Sequence, residues 1–202
     1  MQNQISWLGH DSFKIKGEKT IYIDPWKLKD GESADIILIT HDHYDHFSKE
    51  DIEKIHTDET VVVTNKTVAK GLKGLVRTVE AGNKLSVQSV EIEVVPAYNL
   101  NKQFHPKSAG GLGFVIEMTG EKIYHAGDTD LIPEMESIQC DIALLPVSGT
   151  YVMTAEEAAE AAKKINPKLC IPMHYGEIVG TVKDAHQFKV LCPCETLILE
   201  KE

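Results

Sequence analysis

The segment 40–46, with the sequence THDHYDH, carries three histidines and two acids directly after the apolar run DIILI. His41 and His43 are two residues apart, so in an extended segment their side chains point to the same side. Asp45 and His46 follow where the chain must turn, and they offer a second pair of ligand atoms. Imidazole nitrogens and carboxylate oxygens suit zinc, manganese or iron, and the segment contains no cysteine that would indicate a closed structural zinc site. The segment therefore predicts a loop that presents two sets of metal ligands.

Further ligand candidates occur in the same kind of setting. Asp128, in HAGDTD, follows the apolar run KIY, and His174, in MHYG, follows KLCIP. Polar residues at the ends of strands share one rim of a fold, so we expect these side chains to meet the first segment. His105 lies in a long polar loop between two predicted strands. It is the best remaining donor, because His56 and His186 lie in charged, helix-like or surface contexts.

Short runs rich in isoleucine and valine, bounded by Gly, Pro, Asn or Asp, predict the strands that must position these ligands. The predicted strands are residues 5–8, 12–15, 20–23, 35–40, 61–64, 85–87, 91–96, 113–118, 122–125, 141–146, 169–172 and 196–199. Two of them are alike, since DIILIT and DIALLP each run from an acid through four apolar residues into a polar loop. This hints at two similar halves, although the match is too short to establish a repeat.

The clearest helical pattern is MTAEEAAEAAKKINP, in which Thr154 and Glu157 form a capping box and Pro167 follows the end. Shorter helices are predicted at residues 48–55 and 66–73. Many strands with interspersed helices indicate a layered α/β or α+β domain. Because no linker or low-complexity segment divides the chain, we expect one domain over residues 1–202.

Composition excludes several classes of protein. The formal net charge of the 202 residues is −10 at pH 7, which argues against binding to nucleic acid, because phosphate backbones attract clustered lysine and arginine. The N-terminal segment MQNQISWLGHDSF lacks the basic and apolar regions of a signal peptide, and no apolar run approaches the roughly 18 residues of a membrane span. We therefore expect a cytoplasmic protein without integral membrane association.

The four cysteines fit a reducing compartment. Cys140 and Cys170 lie in apolar runs, where free thiols behave as small hydrophobic side chains. Cys192 and Cys194 are separated by a single proline, which is not the spacing of the CxxC motif. The sequence therefore does not favour a redox or metal-binding role for these cysteines.

The motifs resemble those of the metallo-β-lactamase superfamily. HDHYDH matches its HxHxDH signature, and His105, Asp128 and His174 match the later ligands in order. With WLGHDSFKI, IYIDPW, HAGDTD, PVSGTY and IPMHYG, the chain looks most like compact metal-dependent hydrolases near the ascorbate-phosphate lactonase-like and N-acylphosphatidylethanolamine phospholipase D-like proteins. The resemblance covers essentially the whole chain. It implies an α+β fold, a four-layer αββα sandwich with a two-metal site on one edge of its paired sheets.

The resemblance also implies two divalent metal ions, expected to be zinc, with manganese or iron as alternatives. The ligands of the first ion would be His41, His43 and His105, those of the second Asp45, His46 and His174, and Asp128 would bridge the two. Many members of the superfamily place the third histidine where this chain has Tyr98 and Asn99. His105 comes later and needs a looping insertion to reach the site.

Other motif residues are expected around the ligands. A metal-bound imidazole usually donates its second N–H to a carboxylate or carbonyl, so His10, Asp24 and His125 are expected to orient ligands or line the pocket. Local turn capping or a satisfied buried polar group is the alternative for His10 and Asp24. In PVSGTY, Ser148 and Thr150 together with Tyr151 are candidate pocket donors, with ordinary loop hydrogen bonding as the alternative.

Two cations about 3.5 to 4 Å apart would bind a bridging water and lower its pKa toward 7, which predicts a hydroxide nucleophile. Asp45 or Asp128 would then pass a proton to the leaving group. The predicted function is hydrolysis of a small ester-like substrate, such as a lactone, a phosphodiester or a related bond. No serine or cysteine nucleophile is required, and the GxSxG motif is absent.

A metal-binding sensor or scaffold without turnover is the alternative, although the chain keeps a candidate for every ligand. A flavo-diiron enzyme is disfavoured because the sequence shows no flavin-binding domain. A nuclease is disfavoured by the acidic charge, and a β-lactamase by the lack of a secretion signal. The expected partner is a small-molecule substrate. The sequence does not determine the oligomeric state, so a homo-oligomer is left open.

Overall fold

The computed structural model of the chain describes residues 4–202, and the first three residues of the predicted domain lie outside this part. The strands form two mixed sheets, in each of which neighbours follow chain order. The first sheet contains β1 (Ile5–Gly9), β2 (Ser12–Lys16), β3 (Thr20–Ile23), β4 (Ile36–Ile39), β5 (Val61–Thr64) and β6 (Leu75–Thr78). The second contains β7 (Lys84–Val87), β8 (Val90–Pro96), β9 (Leu112–Met118), β10 (Glu121–His125), β11 (Ile142–Pro146), β12 (Leu169–Met173) and β13 (Glu195–Thr196).

The two sheets repeat one pattern of strand directions. In the first sheet, β1, β2 and β3 are antiparallel, and β3 to β6 are parallel. In the second sheet, β7 to β10 are antiparallel, and β10 to β13 are parallel. The similar segments DIILIT and DIALLP contain β4 and β11, and each of these strands makes the first parallel pair of its sheet. The repeated topology supports two similar halves.

Helices cover the outer face of each sheet. The α-helices are α1 (Lys49–Ile55), α2 (Lys66–Ala69), α3 (Ala155–Ile165) and α4 (Val182–Leu191), with short 3-10 helices at Lys107–Ala109 and Pro133–Ser137. Apolar side chains of α1 and α2 share a buried cluster with Ile37, Ile39 and Val62 of the first sheet. Helices α3 and α4 pack against β11 and β12. The larger core contains apolar side chains of both sheets, including Phe13 and Phe114. The predicted αββα sandwich is thereby confirmed.

Helix α3 shows how local sequence fixes one of these elements. The hydroxyl of Thr154 accepts the backbone N–H of Glu157, and the Glu157 carboxylate accepts that of Thr154, so the predicted capping box is present. Its alanines and Ile165 are buried. Within residues 4–202, no helix is both long and apolar enough to cross a membrane.

Some elements differ from the sequence prediction. Strand β6 was not predicted, because it is a largely exposed edge strand with a weak apolar pattern. Helix α4 was also missed, since it buries only Ala185 and Phe188. The predicted strand 196–199 is wrong beyond Thr196, because the chain leaves the second sheet and Lys201 forms a bridge to Trp7 in the first. The predicted helix 66–73 is shorter and ends at Ala69.

Parallel strand directions bring the polar loops to one edge. Strands β1, β3 and β4 of the first sheet end there, as do β8, β10, β11 and β12 of the second. The loops of the two sheets are joined by backbone hydrogen bonds: the His174 N–H donates to the His10 carbonyl at 3.1 Å, and the Leu112 N–H to the Thr40 carbonyl at 3.0 Å. The predicted ligands follow these strands, so the fold places them side by side.

Candidate metal centre

Three histidine nitrogens from two loops lie against one another at this edge. The Nε2 atoms of His41 and His105 are 3.1 and 3.0 Å from Nδ1 of His43. Nitrogen ligands about 2.05 Å from a tetrahedral zinc ion are about 3.3 Å apart, so this spacing fits coordination of one ion. The structure thus brings together the three residues that were predicted for the first metal.

The carboxylate of Asp128 lies between this group and the second one. Its Oδ2 is 3.3 Å from Nε2 of both His105 and His174, and its Oδ1 is 3.5 Å from Nε2 of His46. Asp45 completes the second group, with Oδ2 at 3.8 Å from Nε2 of His46. Asp128 therefore has the position that a bridging ligand requires.

The second ring nitrogen of His46 and of His174 is held by an oxygen atom. Nδ1 of His46 lies 2.7 Å from Oδ2 of Asp24, and Nδ1 of His174 lies 2.8 Å from Oγ of Ser148. The Ser148 hydroxyl donates to the Thr150 carbonyl at 3.4 Å, so it is free to accept the imidazole N–H. These bonds place a proton on Nδ1 of each ring, and each Nε2 faces the site.

Oxygen acceptors on Nδ1 likewise assign the tautomers of His41 and His105. Nδ1 of His41 is 3.0 Å from Oγ1 of Thr40, whose own proton goes to Asp24 Oδ2 at 2.6 Å. The hydroxyl must therefore accept from His41. Nδ1 of His105 is 3.3 Å from the carbonyl oxygen of Tyr151. In these four imidazoles Nδ1 is thus the nitrogen held by an oxygen atom, and Nε2 is the nitrogen that faces the site and can bind a metal once it is deprotonated.

Asn99 closes the loop that carries His105 back to the site. Its backbone N–H donates to the His105 carbonyl at 2.7 Å, and its side-chain Nδ2 donates to the carbonyl oxygens of Phe104 at 2.9 Å and Tyr151 at 2.6 Å. These bonds tie Asn99 and His105, which lie at the two ends of the insertion, to each other. They also tie Asn99 to Tyr151, whose carbonyl oxygen contacts Nδ1 of His105. Asn99, at the position where the resemblance places a histidine, thus supports His105.

The turn between β1 and β2 adds two buried side chains to the second group. Nε2 of His10 lies 3.2 Å from Oδ2 of Asp45, and Oδ2 of Asp11 lies 3.7 Å from Nε2 of His46. With His174 they form a cluster of potential ligands. The sequence prediction included His10 as an orienting or pocket residue but missed Asp11. The available signal was an acid next to His10 in the short turn between two apolar runs.

His125 supports that turn. Its Nδ1 accepts the backbone N–H of Gly127 at 3.2 Å, so its Nε2 carries the proton and donates to the Asp11 carbonyl at 2.9 Å. Burial lowers the pKa of His125, which agrees with a neutral ring. Its hydrogen bonds connect the Asp128 loop to the β1–β2 turn.

Opposite charges are concentrated at this buried site. Burial lowers the pKa of His41 well below its usual value. Burial also acts to lower the pKa of His46, but the carboxylates of Asp128 and Asp24 outweigh it and raise this pKa well above normal. Burial tends to raise the pKa of Asp128, which the neighbouring histidines nevertheless hold well below normal. Burial and the Asp128 charge raise the pKa of Asp11 well above its usual range.

Several buried polar atoms of this cluster have no hydrogen-bond partner within the described chain. They are Nε2 of His46, Oδ1 of Asp128, both ring nitrogens of His10 and both carboxylate oxygens of Asp11. An unpaired buried polar group costs about 1 to 3 kcal/mol, and a cation at this position would satisfy several of them at once. The residues present therefore fit divalent metal ions.

Backbone strain also collects at the site. Five of its residues have φ in the left-handed region that non-glycine residues rarely adopt: His10 at 52°, Asp24 at 45°, His105 at 58°, Tyr151 at 67° and His174 at 60°. Such conformations cost about 1 to 3 kcal/mol each and persist where the surroundings enforce them. This clustering indicates a site whose geometry is fixed before any ligand binds.

The three predicted pocket donors have different positions. Ser148 contacts His174 rather than the open cavity. Thr150 is exposed and contributes its carbonyl oxygen to the Ser148 hydroxyl. The half-exposed ring of Tyr151 lines a cavity of about 480 Å³ above the histidines. Asp45 and Asp128 face the same cavity.

The chain is similar to several known proteins. A family model described as the beta-lactamase superfamily domain matches residues 4–174. The chain is 32% identical over 205 residues to a metal-dependent hydrolase of Pyrococcus abyssi, covering 93% of this chain and 91% of that protein. It is 35% identical over 209 residues to a metal-dependent hydrolase of Thermoplasma acidophilum, covering 95% and 92%. A solved structure from Parabacteroides distasonis, described as a metal-dependent hydrolase, has a TM-score of 0.88 at 32% identity and covers 98% of this chain and 93% of that one.

Proposed function

The chain belongs to the metallo-β-lactamase superfamily and is a metal-dependent hydrolase, and from this premise we propose that it hydrolyses uncharged, apolar carboxylic esters or lactones at a two-metal centre. The observation that carries the proposal is the wall of the cavity above the histidines. A single domain over residues 1–202 is part of the same proposal.

Aromatic and aliphatic side chains form that wall. Tyr44, Phe104, Tyr151, Ile178 and Val179 line the cavity on its open side. Phe104 and Tyr151 pack edge to face, with ring centroids 5.0 Å apart. Four of these residues are largely exposed: Phe104, Tyr151 and Ile178 by 40% or more, and Tyr44 by 67%. An exposed apolar patch at a concave site is typical of a binding surface for an apolar group.

Cationic side chains are absent from the described lining of this cavity. Lys102, in the same loop as Phe104, pairs with the buried carboxylate of Asp130 instead. Enzymes that bind phosphate or carboxylate groups usually supply arginine or lysine for them. The wall therefore favours a neutral ester or lactone over a phosphodiester.

Seven side chains would hold the two ions. They are His41, His43 and His105 for one ion, Asp45, His46 and His174 for the other, and Asp128 between them. When bound, the ions supply a Lewis acid and lower the pKa of water to near neutrality. His10 and Asp11 lie close enough to the second group to support or complete it.

Asp45 is the side chain best placed to move a proton. Its carboxylate lines the cavity and is 14% exposed, whereas Asp128 is 4% exposed and lies among three histidines. Burial acts to raise the pKa of Asp45, but the adjacent His10 imidazole and the charge of His46 lower it, so the group is ionised at neutral pH. Asp45 can therefore accept a proton from water and pass it to the leaving alcohol.

The first test compares substrates on protein loaded separately with zinc, manganese or iron. We expect turnover of p-nitrophenyl esters and alkyl lactones, and little of bis-p-nitrophenyl phosphate. Each methylene added to the acyl chain should raise kcat/KM by up to about fourfold while the cavity has room, because burying a methylene contributes about 0.8 kcal/mol. A clear preference for the phosphodiester would contradict the proposed substrate class. Bound metal without turnover of any substrate would instead favour a sensor.

The second test changes the wall. Phe104→Ala should raise KM for a long-chain ester several-fold and leave KM for the acetate ester nearly unchanged. Val190→Ala is the matched control, because Val190 is 84% exposed on α4 and does not line the cavity. Asp45→Asn should lower kcat by about 10²- to 10⁴-fold for all esters. Equal loss for short and long esters in the Phe104 variant would refute the role of the wall.

A further inference from the structure

Three cysteine sulfurs form a second cluster of potential metal ligands, away from the histidines. Cys170 is a fully buried residue of β12, Cys192 caps the end of α4, and Cys194 lies just before β13. Their Sγ atoms all lie within 4.8 Å of one another. The spacing of Cys192 and Cys194 alone did not favour a metal site. The third sulfur comes from a neighbouring strand, which the sequence could not show.

This cluster is separate from the hydrolytic centre. Cys170 lies near the start of β12, whereas His174 follows its end. Four residues of a strand span about 13 Å, so the two groups cannot share an ion. The sulfurs lie beside α3, where Cys194 Sγ is 3.7 Å from the Ala162 carbonyl oxygen. No histidine or carboxylate belongs to the described cluster, so its donor set is sulfur alone.

The sulfur spacing is compatible with a thiolate-bound ion. With metal–sulfur bonds of about 2.3 Å, sulfur ligands are about 3.8 Å apart in a tetrahedral site and about 4.0 Å apart in a trigonal one. Small side-chain movements would bring three atoms that already lie within 4.8 Å to these distances. Soft thiolate sets select Zn²⁺ and Cu⁺ over hard cations such as Mg²⁺.

A hydrogen bond couples two of the thiols: it is the main cause that lowers the pKa of Cys192 to about 6, and it is also the main cause that raises the pKa of Cys170. Cys192 and Cys194 are partly exposed, so an ion can reach them from solvent, while the buried Cys170 closes the inner side.

We propose that Cys170, Cys192 and Cys194 bind one soft d¹⁰ cation, Zn²⁺ or Cu⁺, in a three-thiolate site distinct from the hydrolytic centre. Binding forms three metal–sulfur bonds, releases the remaining thiol protons to solvent and involves no change of oxidation state. The ion ties the end of α4 and the start of β13 to β12, with which β13 pairs through Glu195 and Thr196.

Sulfur-specific absorption separates this site from the histidine centre, whose ligands would be nitrogen and oxygen atoms. Cobalt(II), as a probe for zinc, should give an intense thiolate-to-metal charge-transfer band in the reduced, full-length protein. Histidine and carboxylate ligands do not produce this band. In the presence of a competing chelator, the protein should retain one equivalent of copper(I) per chain.

The test variant is Cys192→Ser combined with Cys194→Ser, and the matched control is Cys140→Ser. Cys140 is not a member of the cluster, and burial raises the pKa of its thiol to about 12. The double variant should lose both the charge-transfer band and the copper(I) retention, while ester hydrolysis continues and shows that the chain is folded. The control should retain both signals. Absence of the band and of copper(I) retention in the unaltered protein would overturn the proposal, as would a band that survives in the double variant.

Discussion

Asp24→Asn is the sharpest test of how the second metal group is positioned. Oδ1 of Asp24 accepts the Thr40 N–H at 2.8 Å, and Oδ2 accepts both the Thr40 hydroxyl at 2.6 Å and Nδ1 of His46 at 2.7 Å. An amide of the same shape cannot replace these three acceptor contacts. If its oxygen faces the Thr40 N–H, its NH₂ group donates to Nδ1 of His46 and the imidazole must carry its proton on Nε2. If the amide is flipped, two N–H donors face each other at Thr40.

Either orientation weakens the metal-facing lone pair of His46. Loss of an orienting partner of a metal-bound histidine typically lowers metal affinity by about 10- to 100-fold, which is about 1.4 to 2.8 kcal/mol. The group of His41, His43 and His105 makes no direct contact with Asp24, and His41 is affected only through the Thr40 hydroxyl, which can still accept its Nδ1 proton. At a buffered zinc concentration that fills both positions of the unaltered protein, the variant should therefore retain about one ion per chain. Metal analysis after dialysis measures the content, and chelator competition measures the affinity.

Asp35→Asn is the matched control, since its carboxylate also accepts a backbone N–H, from Thr20 at 2.8 Å, but lies outside the metal centre. It should bind two ions like the unaltered protein. Thermal denaturation of both metal-free variants checks that the fold is intact. If Asp24→Asn binds both ions with unchanged affinity, the tautomer of His46 is not set by Asp24 and the reasoning is wrong.

Three further predictions concern residues around the centre and the fold. Ser148→Ala removes the acceptor of His174 Nδ1 and should weaken zinc binding about tenfold, as measured by chelator competition. Gly127→Ala should lower the melting temperature and the metal content together, because φ is +64° and the added Cβ would lie 2.5 Å from the Leu112 carbonyl oxygen. Burial acts to raise the pKa of Asp51, but hydrogen bonds to its carboxylate outweigh this and lower it, so its stabilisation is present above the unfolded pKa and is lost as pH falls through the folded value. Urea denaturation should therefore show Asp51→Asn to be less stable by about 1 kcal/mol at neutral pH, with the difference disappearing in strong acid.

The ligand positions were predictable because each depends on a local pattern. His41, Asp128 and His174 follow short apolar runs, and the ends of parallel strands meet at one edge whatever the rest of the chain does. The capping box of α3 was predictable for the same reason. The elements that failed, β6 and α4, lie at the periphery and bury few side chains, so their sequences carry little periodic signal.

The partners of the ligands could not be predicted in this way. The acceptor for His105 is a backbone carbonyl of Tyr151, which any residue could supply. The sulfur cluster depends on Cys170, whose neighbourhood with Cys194 is created only by the packing of β12 and β13. Asp11 stood next to a selected histidine, but an acid in a short turn is ordinary until its burial is known.

The orientation of the metal ligands therefore depends on the acceptors that hold their second ring nitrogens. Four acceptors from three loops each fix the proton of one imidazole: Asp24, the Thr40 hydroxyl, and Ser148 and the Tyr151 carbonyl of one shared loop. Because every loop is anchored at a strand end, a change in one acceptor should alter one ligand without unfolding the others. Variants of the acceptors should thus lower metal affinity one position at a time. Removal of the shared Asp128 should affect both positions together, because its two oxygens contact histidines of both groups.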